Sequence, residues 1–302
     1  MSHQGHDNAM ELRASLLARA RDLGADLAGV ASVDDLVTVT GGREPQAADR
    51  LGALPATEPV CWPEEARSVV VVAVEHPRER PELDWWFGRI DPPGNRVLAR
   101  VVQDLCDWAA GELGLRATHF PYHVERGGIY LKDAAVLAGL GCIGLNNLLV
   151  TPEFGPRIRL RALALDRELP STGRSDFDPC ADCGRPCRRG CPQGVFAATT
   201  GLDGTSSSAD GAVPHGAAPH GGLLPARTGE FSRQRCYLQM DRDIESATLG
   251  DPAALGTSGG GAATLGASGT GTGTGPAPAP VKVIRYCRAC ELSCPVGVTR
   301  QT

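Results

Sequence analysis

The sequence PCADCGRPCRRGCP, residues 179–192, decides the fold of the C-terminal part of this chain. It carries four cysteines in the pattern C-x2-C-x3-C-x3-C-P, and a second array, CRACELSCP, follows at residues 287–295. Cysteines separated by two or three residues on tight turns bring their thiolates together, and soft sulfur ligands suit iron–sulfur clusters or zinc. The arrays therefore predict bound metal cofactors, which would order a region that has few large apolar residues.

The last cysteine of each array bears on the choice between these cofactors. In bacterial two-cluster ferredoxins the run is C-x2-C-x2-C-x3-C-P, and the cysteine before proline ligates the other cluster. Both arrays here end in Cys-Pro, although the first has one extra residue between its second and third cysteines. The pattern therefore favours two 4Fe–4S clusters in a ferredoxin-like module, with four-cysteine zinc sites as the alternative.

Exchanging the terminal cysteines between the arrays gives a ligand assignment. The first cluster takes three cysteines of the first array and the last of the second, namely Cys180, Cys183, Cys187 and Cys294. The second cluster takes the remaining array cysteines and the cysteine between the arrays, namely Cys191, Cys236, Cys287 and Cys290. Cys61 and Cys142 have no assigned partner, and Cys106 falls in an amphipathic segment where a small core residue is expected.

Residues 8–170 show alternating helical and strand patterns, which predict an α/β layer structure. Helices are predicted at residues 10–23, 95–113 and 129–138, where apolar residues recur at helical spacing. Strands are predicted at residues 27–31, 68–74, 116–120, 148–151 and 157–166. The run SVVVVAV at residues 68–74 is typical of a strand that is covered on both faces.

The second predicted domain, residues 171–302, is interrupted by two low-complexity segments. Residues 201–229 are mainly Gly, Ala, Ser, Pro and His, and residues 250–280 are almost wholly Gly, Ala, Thr and Pro. Neither segment can bury enough surface to offset the entropy that ordering would cost. Both are therefore predicted to be flexible loops.

The overall charge and hydropathy exclude several classes of protein. The chain of 302 residues has a net charge of −5 and a pI of about 5.8, which argues against binding to nucleic-acid backbones. No apolar run approaches the ~20 residues that span a bilayer, and the first ten residues contain no signal or twin-arginine motif. We therefore predict a cytoplasmic protein with no membrane partner, whose clustered cysteines indicate metal rather than disulfides.

The segment GLGCIG, residues 139–144, has the letters of a dinucleotide-binding fingerprint, and Asp166 lies downstream of it. That fingerprint must follow a strand and open a helix, whereas this segment follows a predicted helix and leads into a strand. A nicotinamide site is therefore disfavoured. The glycines either end the helix and form tight turns, or they let the backbone approach a large planar cofactor closely.

The run LKDAAVLAGLGCIGLNNLLVTPEFGPRIRL, residues 131–160, resembles the core of epoxyqueuosine reductases and of the related reductive dehalogenases. The two Cys-Pro arrays follow it, and Cys236-Tyr237-Leu238 resembles the isolated cluster ligand of that family. The resemblance covers most of residues 10–300 outside the low-complexity segments. It implies an α+β chain in which a nitroreductase-like α/β domain that binds cobalamin and substrate precedes a two-cluster ferredoxin-like domain.

The resemblance also implies an oxidoreductase activity. Electrons would pass from an external low-potential donor of the ferredoxin or flavodoxin type, through the clusters, to cobalt and then to an epoxide or a carbon–halogen bond. The residues that it places beside cobalamin are Gly139, Gly141, Gly144, Asn147, Thr151 and Arg157. The position of the family's proton-donating aspartate is occupied by Glu125, which can be a general acid in a buried setting or a surface carboxylate paired with Arg126.

This chain departs from the family pattern at several positions. Cys142 replaces an aromatic residue, Leu145 replaces a basic one, and the C-terminal helical repeats that help to hold tRNA have no counterpart before Thr302. We therefore expect a small-molecule substrate or a partner corrinoid protein, and tRNA is disfavoured. The rival hypothesis is a ferredoxin-type electron carrier, or a reductive activator of a corrinoid protein, without cobalamin chemistry of its own.

Overall fold

The computed structural model describes residues 3–40, 60–88, 90–124, 126–196, 231–250 and 280–298. Its N-terminal part contains α1 (His3–Asp22), β1 (Leu27–Ser32), α2 (Val33–Thr40), β2 (Ser68–Glu75), a 3-10 turn (Pro81–Asp84), β3 (Trp86–Phe87), α3 (Pro93–Leu113), β4 (Ala117–His119), α4 (Leu131–Leu137), β5 (Cys142–Ile143), β6 (Leu149–Val150) and β7 (Ile158–Leu165). Its C-terminal part contains α5 (Pro186–Arg189), α6 (Arg233–Glu245), β8 (Thr248–Gly250), β9 (Val281–Ile284) and α7 (Ala289–Leu292).

The N-terminal core is a four-stranded sheet in the order β1-β2-β7-β4, and every neighbouring pair is antiparallel. Alternate side chains of β2 point to opposite faces, so that Val69 and Val71 join one apolar cluster while Val70 and Val72 join the other. The cluster around Val69 includes residues of α2 and α4, and the other includes residues of α1 and α3. The prediction that β2 is covered on both faces is confirmed.

The predicted helices and strands of residues 8–170 are present, with small shifts at their ends. Helix α1 begins earlier than predicted, at His3, and α2 was not predicted because it is short and follows β1 directly. The glycine segment follows α4 and leads into the hairpin of β5 and β6, which confirms that it is not placed as a dinucleotide fingerprint would be. The predicted mixed architecture of helices and sheet is therefore confirmed.

A second, three-stranded sheet joins the two parts of the chain. Its order is β3-β9-β8, in which Trp86 and Phe87 of the N-terminal part pair with Ile284 and Val283 of β9. Strand β8, which follows the Cys236 helix, pairs with the other edge of β9. This sheet fixes the C-terminal cysteine array against the N-terminal domain.

Three sequence predictions fall on residues outside the described ranges. The expected flexible loops are residues 201–229 and 250–280, of which the structure describes only the end residues 250 and 280, and the proposed proton donor is Glu125. These stay predictions. Within the described ranges, none of the helices combines the length and apolar character that a membrane span requires.

Candidate iron–sulfur and substrate site

Four predicted ligands of the first cluster lie close enough to influence one another's charge. Burial raises the pKa of the Cys187 thiol, and the thiols that add to this shift are Cys294, Cys180 and Cys183. Burial likewise raises the pKa of the Cys180 thiol. The charges of Asp178, Cys294 and Cys183 raise it further. Cys294 is thus close to the first array although it belongs to the second.

The predicted ligands of the second cluster form another such group. Burial raises the pKa of Cys290 to about 12, and the thiols that add to the shift are Cys287, Cys191 and Cys236. Cys191, the last cysteine of the first array, also raises the pKa of Cys287. Each group therefore includes cysteines from both arrays whose charges affect one another.

Helix α6 places Cys236 beside the second group. At its N-terminus Ser232 caps the helix, and the Ser232 backbone N–H donates to the Val195 carbonyl at 2.8 Å. Farther along, the Asp243 carboxylate accepts the backbone N–H of Cys287 at 2.7 Å. Helix α6 is therefore attached to both arrays, which explains how an isolated cysteine reaches the second group.

Backbone N–H groups point at several of the thiols. The N–H of Ala289 lies 3.5 Å from Cys287 Sγ, and backbone hydrogen bonds at Leu145 and Val296 act to lower the pKa of Cys180 and Cys294 respectively. Such bonds favour the thiolate over the thiol, which is the form that binds metal. Hydrogen bonds to cluster sulfurs are also one of the features that set cluster potentials.

The donor set of each group fits a 4Fe–4S cluster. Among the described residues, no three His, Cys, Asp or Glu side chains converge closely enough to hold a single metal ion. A cubane binds each cysteine through a different iron atom, so that its ligands surround the cluster without converging on one point. Four thiols with N–H donors nearby supply the chemistry that such a cluster needs.

The segment after the glycines contacts both cysteine arrays. Arg157 is buried and donates to the carbonyl oxygens of Cys294 at 3.4 Å and Val296 at 2.5 Å. Asn146 Nδ2 lies 3.5 Å from the Cys290 carbonyl oxygen, and Arg188 Nε lies 3.4 Å from that of Leu145. The N-terminal domain therefore contacts the backbone of a cysteine in each of the two groups.

The glycines predicted to approach cobalamin are packed against the protein's own backbone. Gly139 has φ +74 and ends α4, and a Cβ there would collide with the carbonyl oxygen of Gly173. A Cβ at Gly141 would collide with the carbonyl oxygen of Val150, across the β5–β6 hairpin. A Cβ at Gly144 would lie 2.6 Å from the Val150 side chain and 3.6 Å from Cys180 Sγ. The helix stop and the tight turn account for these glycines.

The polar residues assigned to cobalamin are also engaged within the protein. Lys132 Nζ donates to the backbone carbonyl of Asn147 at 2.6 Å and to its side-chain oxygen at 3.2 Å. Thr151 Oγ1 accepts the N–H of Phe154 at 3.1 Å and donates to the Gly155 carbonyl at 3.2 Å. The contacts of Thr151 hold the turn between β6 and β7, and those of Asn147 hold the loop between β5 and β6. The assignment of these residues to cobalamin stays a prediction.

The loop around the predicted proton donor is held by short turns. The N–H groups of Gly127 and Gly128 donate to the carbonyls of Val124 and His123, each at 3.0 Å. The Tyr122 ring meets the His123 ring edge to face at 5.0 Å, and the Arg161 guanidinium lies 4.5 Å from the Tyr122 ring centre. The Tyr122 ring is therefore held between His123 and Arg161, while Glu125 lies outside the described residues.

The cysteines outside the two groups have different surroundings. Cys106 is buried in α3, as expected of a core residue, and burial raises its pKa to about 11. Cys142 is buried beside the first group, since burial and then the charge of Cys180 raise its pKa to about 12. Cys61 is exposed, and its backbone N–H donates to the Gly127 carbonyl at 3.1 Å. Cys61 therefore borders the Tyr122–Gly128 loop.

A buried ion network that sequence reasoning missed lies between the N-terminal domain and the second array. His76 Nδ1 is 2.8 Å from the Asp84 carboxylate, which also contacts Arg159 and accepts from Arg288 Nη1 at 2.5 Å. Arg288 contacts Glu291 as well. His76 Nε2 is buried with no hydrogen-bond partner among the described residues and lies 4.0 Å from the nearer oxygen of Glu291.

Only one signal in the sequence pointed towards this network. Arg288 and Glu291 lie between the cysteines of the second array, where charged residues would otherwise face solvent. Their partners are distant in sequence and become neighbours only when β3 pairs with β9. A shallow cavity of about 180 Å³, lined by residues 63–66 and the ends of β4 and β7, contains none of the predicted site residues.

Comparison with known proteins confirms the predicted resemblance. No family model matches the chain. Over an alignment of 202 residues it is 29% identical to an epoxyqueuosine reductase of Gloeobacter violaceus. The alignment covers 59% of this chain and 59% of that protein. The chain thus spans about three fifths of the length of the curated relative it matches.

Two solved epoxyqueuosine reductases share the fold. The enzyme from Streptococcus thermophilus aligns with a TM-score of 0.54 at 18% identity, over 95% of this chain and 66% of that one. The enzyme from Bacillus subtilis, solved with its catalytic loop swung out of the active site, also aligns with a TM-score of 0.54, at 16% identity over 97% and 67% of the two chains. These similar proteins are reductases, that is, oxidoreductases.

Proposed function

We propose that this chain, like the epoxyqueuosine reductases it resembles, is an iron–sulfur oxidoreductase that delivers electrons to a site in its N-terminal domain. The observation that carries the proposal is the pair of four-thiol groups, each drawn from both arrays and both in contact with residues 144–157. Two groups of this kind can hold redox centres in series. The contacts of Arg157 and Asn146 would bring those centres next to the N-terminal domain.

Each group is proposed to hold one 4Fe–4S cluster. The first is held by Cys180, Cys183, Cys187 and Cys294, and the second by Cys191, Cys236, Cys287 and Cys290. The main support is the charge interaction between thiols that are far apart in sequence, together with the N–H donors that face them. Zinc, the alternative from the sequence, would give a colourless protein without acid-labile sulfide.

Cobalamin is proposed as a cofactor on the resemblance alone. When bound, it would supply a strongly reducing cobalt centre for cleaving a carbon–oxygen or carbon–halogen bond. Of the six residues that the resemblance assigns to it, Thr151 and Arg157 lie in the turn between β6 and β7, and the side chains of Asn147, Thr151 and Arg157 make hydrogen bonds within the protein.

Glu125 is proposed as the proton donor at the substrate site. Support comes from the resemblance, which aligns Glu125 with the family's proton-donating aspartate. A carboxylic acid whose pKa is raised by burial can protonate a leaving oxygen or a carbanion. The substrate class proposed is a small molecule or a partner corrinoid protein, with tRNA disfavoured by the net charge of −5.

The rival function is a ferredoxin-type electron carrier, or an activator of a corrinoid protein, that binds no cobalamin itself. Its support is the departure of Glu125, Cys142 and Leu145 from the family pattern. Anaerobic titration of the cluster-loaded protein with cobalamin distinguishes the two. The enzyme hypothesis predicts a saturable change in the corrinoid visible spectrum at about one equivalent.

The control for this titration is the same protein after heat denaturation, which accounts for non-specific association of cobalamin. The enzyme hypothesis is abandoned if cobalamin produces no saturable change while the cluster absorbance is intact. In that case the carrier function replaces it. The cluster assignment is untouched by either outcome.

A further inference from the structure

The hairpin of β5 and β6 has two different faces. Residues opposite each other in an antiparallel pair share a face, and neighbours along one strand alternate between faces. On one face Leu149 belongs to the apolar cluster that includes α2 and α4, and its partner Ile143 packs against that cluster. On the other face Cys142 is paired with Val150. We call the face formed by Cys142, Gly144 and Val150 the cysteine face.

The cysteine face is buried and turned towards the first thiol group. Cys142 is 8% exposed and Val150 1%, although among the described residues neither joins the two apolar clusters of the main sheet. Gly144 continues the ladder of β5, since its backbone N–H donates to the Leu148 carbonyl at 2.8 Å. A Cβ added at Gly144 would lie 2.6 Å from the Val150 side chain, on the same face, and 3.6 Å from Cys180 Sγ. The face that carries the Cys142 side chain therefore meets a proposed cluster ligand.

The charges around Cys142 agree with this placement. Burial is the main reason why the pKa of its thiol is raised to about 12, and the charges of Cys180, Asp178 and Cys294 raise it further. Two of these three residues are proposed ligands of the first cluster. The turn of the hairpin also accepts a hydrogen bond from Arg188 of the first array at 3.4 Å. A fifth thiol therefore accompanies the four of the first group.

The Cys142 thiol differs from the proposed ligands because it keeps its proton. A cysteine that binds no metal is a neutral thiol at pH 7, since its ordinary pKa is about 8.5. Its S–H group is a weak hydrogen-bond donor. Of the two residues that share the cysteine face, Val150 is apolar and Gly144 has no side chain. The sulfurs of a cluster in the first group would therefore supply acceptors on the side to which this donor is turned.

We propose that the Cys142 thiol donates a hydrogen bond to a sulfur of the cluster in the first group and thereby raises the reduction potential of that cluster. This inference deepens the proposed function and rests on it, because that function supplies the cluster. Reduction adds one electron to the cluster and makes its sulfurs better acceptors, so the hydrogen bond stabilises the reduced form more than the oxidised one. The proton stays on Cys142, and no bond is made or broken. Electrons are thereby drawn to the cluster beside the hairpin of the N-terminal domain.

The test is an anaerobic redox titration of the cluster-loaded protein, followed by electron paramagnetic resonance. The signal of the first cluster is the one that Cys180→Ala removes. In Cys142→Ala the ratio of reduced to oxidised first cluster, measured at the wild-type midpoint potential, should fall about threefold or more. For a one-electron centre a threefold change corresponds to a midpoint that is lower by about 28 mV. The midpoint of the second cluster should be unchanged and serves as an internal reference.

Two further variants separate the hydrogen bond from packing. Cys142→Ser keeps a donor of similar size, so its ratio should stay within about twofold of wild type. Cys142→Val fills the space with an apolar side chain that suits a strand and excludes water, so it should behave like Cys142→Ala. The matched control, Cys106→Ala, removes a buried cysteine of α3 outside both groups and should leave both midpoints unchanged.

A second measurement leaves Cys142 in place, so it does not depend on how the Cys142 variants fold. Of the eleven cysteines, only Cys61, Cys106 and Cys142 are not proposed ligands. In the variant Cys61→Ser with Cys106→Ala, Cys142 therefore carries the one remaining S–H group. Its stretching band in the infrared spectrum should move to lower frequency when the clusters are reduced, because the hydrogen bond becomes stronger.

Several results overturn the inference. They are an unchanged first-cluster midpoint in Cys142→Ala and Cys142→Val, an equal shift in the alanine, valine and serine variants, a shift of the second cluster alone, or an S–H band that reduction does not move. In each case the wild type still holds two reducible clusters, so the proposed function survives. A wild-type protein that binds no iron and sulfide would instead overturn the proposed function and this inference together.

Discussion

Replacing Cys294 by alanine is expected to remove the cluster that is held mainly by the distant first array. Cys294 is buried beside Cys187 and Cys180, to whose pKa shifts it contributes. A cubane that loses one of four thiolates is incomplete. Iron should therefore fall from about eight to about four atoms per chain, or to about seven if a three-iron cluster remains.

Electron paramagnetic resonance of the reduced protein identifies which cluster is lost. The Cys294→Ala spectrum should match that of Cys180→Ala, and the spectrum of Cys191→Ala should match that of Cys287→Ala. The control is Cys106→Ala, a buried cysteine in α3 outside both groups, which should keep all of its iron. A Cys294→Ala spectrum equal to that of Cys287→Ala would refute the exchange of terminal cysteines.

Replacing Asp84 by alanine is expected to produce the largest loss of stability outside the cysteines. Its buried carboxylate contacts His76, Arg159 and Arg288, so the substitution leaves two part-buried guanidinium groups without their common partner. Breaking a buried ion pair in this way costs about 3–5 kcal/mol. The thermal midpoint of the anaerobic protein should fall by about 10 °C.

The control for this substitution is Asp104→Ala, which removes an exposed carboxylate from α3 and should change stability by less than about 0.5 kcal/mol. Because Arg288 and Glu291 flank Cys290, the Asp84 variant should also lose its second cluster faster on exposure to chelator. Equal midpoints for Asp84→Ala and Asp104→Ala would show that the network contributes no net stability.

The stabilisation by Asp84 has a defined pH dependence. Burial acts to raise the pKa of Asp84, but the hydrogen bond and charge of His76, together with Arg159 and Arg288, outweigh it and hold the pKa below the ordinary value of 3.8. Stability from a lowered carboxyl pKa is present in full above the unfolded value and is lost as the pH falls through the folded one. The midpoint difference between wild type and Asp84→Ala should shrink as the pH falls below about 4.

Local sequence patterns were sufficient to predict the longer N-terminal helices and strands. The valines of β2 and the amphipathic repeat of α3 are buried as expected, because strand and helix periodicity are properties of neighbouring residues. The grouping of the cysteines followed from the Cys-Pro ends, which carry information about a partner far along the chain. Cys236 was assigned because it is the one cysteine between the arrays.

Features that depend on pairing between distant segments were not predictable. Strand β3 has only two residues, too few for a periodic pattern, yet its pairing with β9 joins the two parts. The ion network follows from that pairing. The glycines at 139–144 left two interpretations open, because a sequence does not show whether a backbone approaches a cofactor or another strand. The contacts of Gly139 and Gly141 are with backbone.

Iron and acid-labile sulfide analysis of the anaerobically purified chain, together with its Mössbauer spectrum, tests the central claim most directly. Two complete groups of four thiols predict about eight iron and eight sulfide per chain, all in cubane 4Fe–4S clusters. The Mössbauer spectrum should show one class of valence-delocalised iron and no mononuclear iron. Stoichiometric zinc without sulfide, or about four iron in a chain whose eight ligand cysteines are intact, would contradict the account.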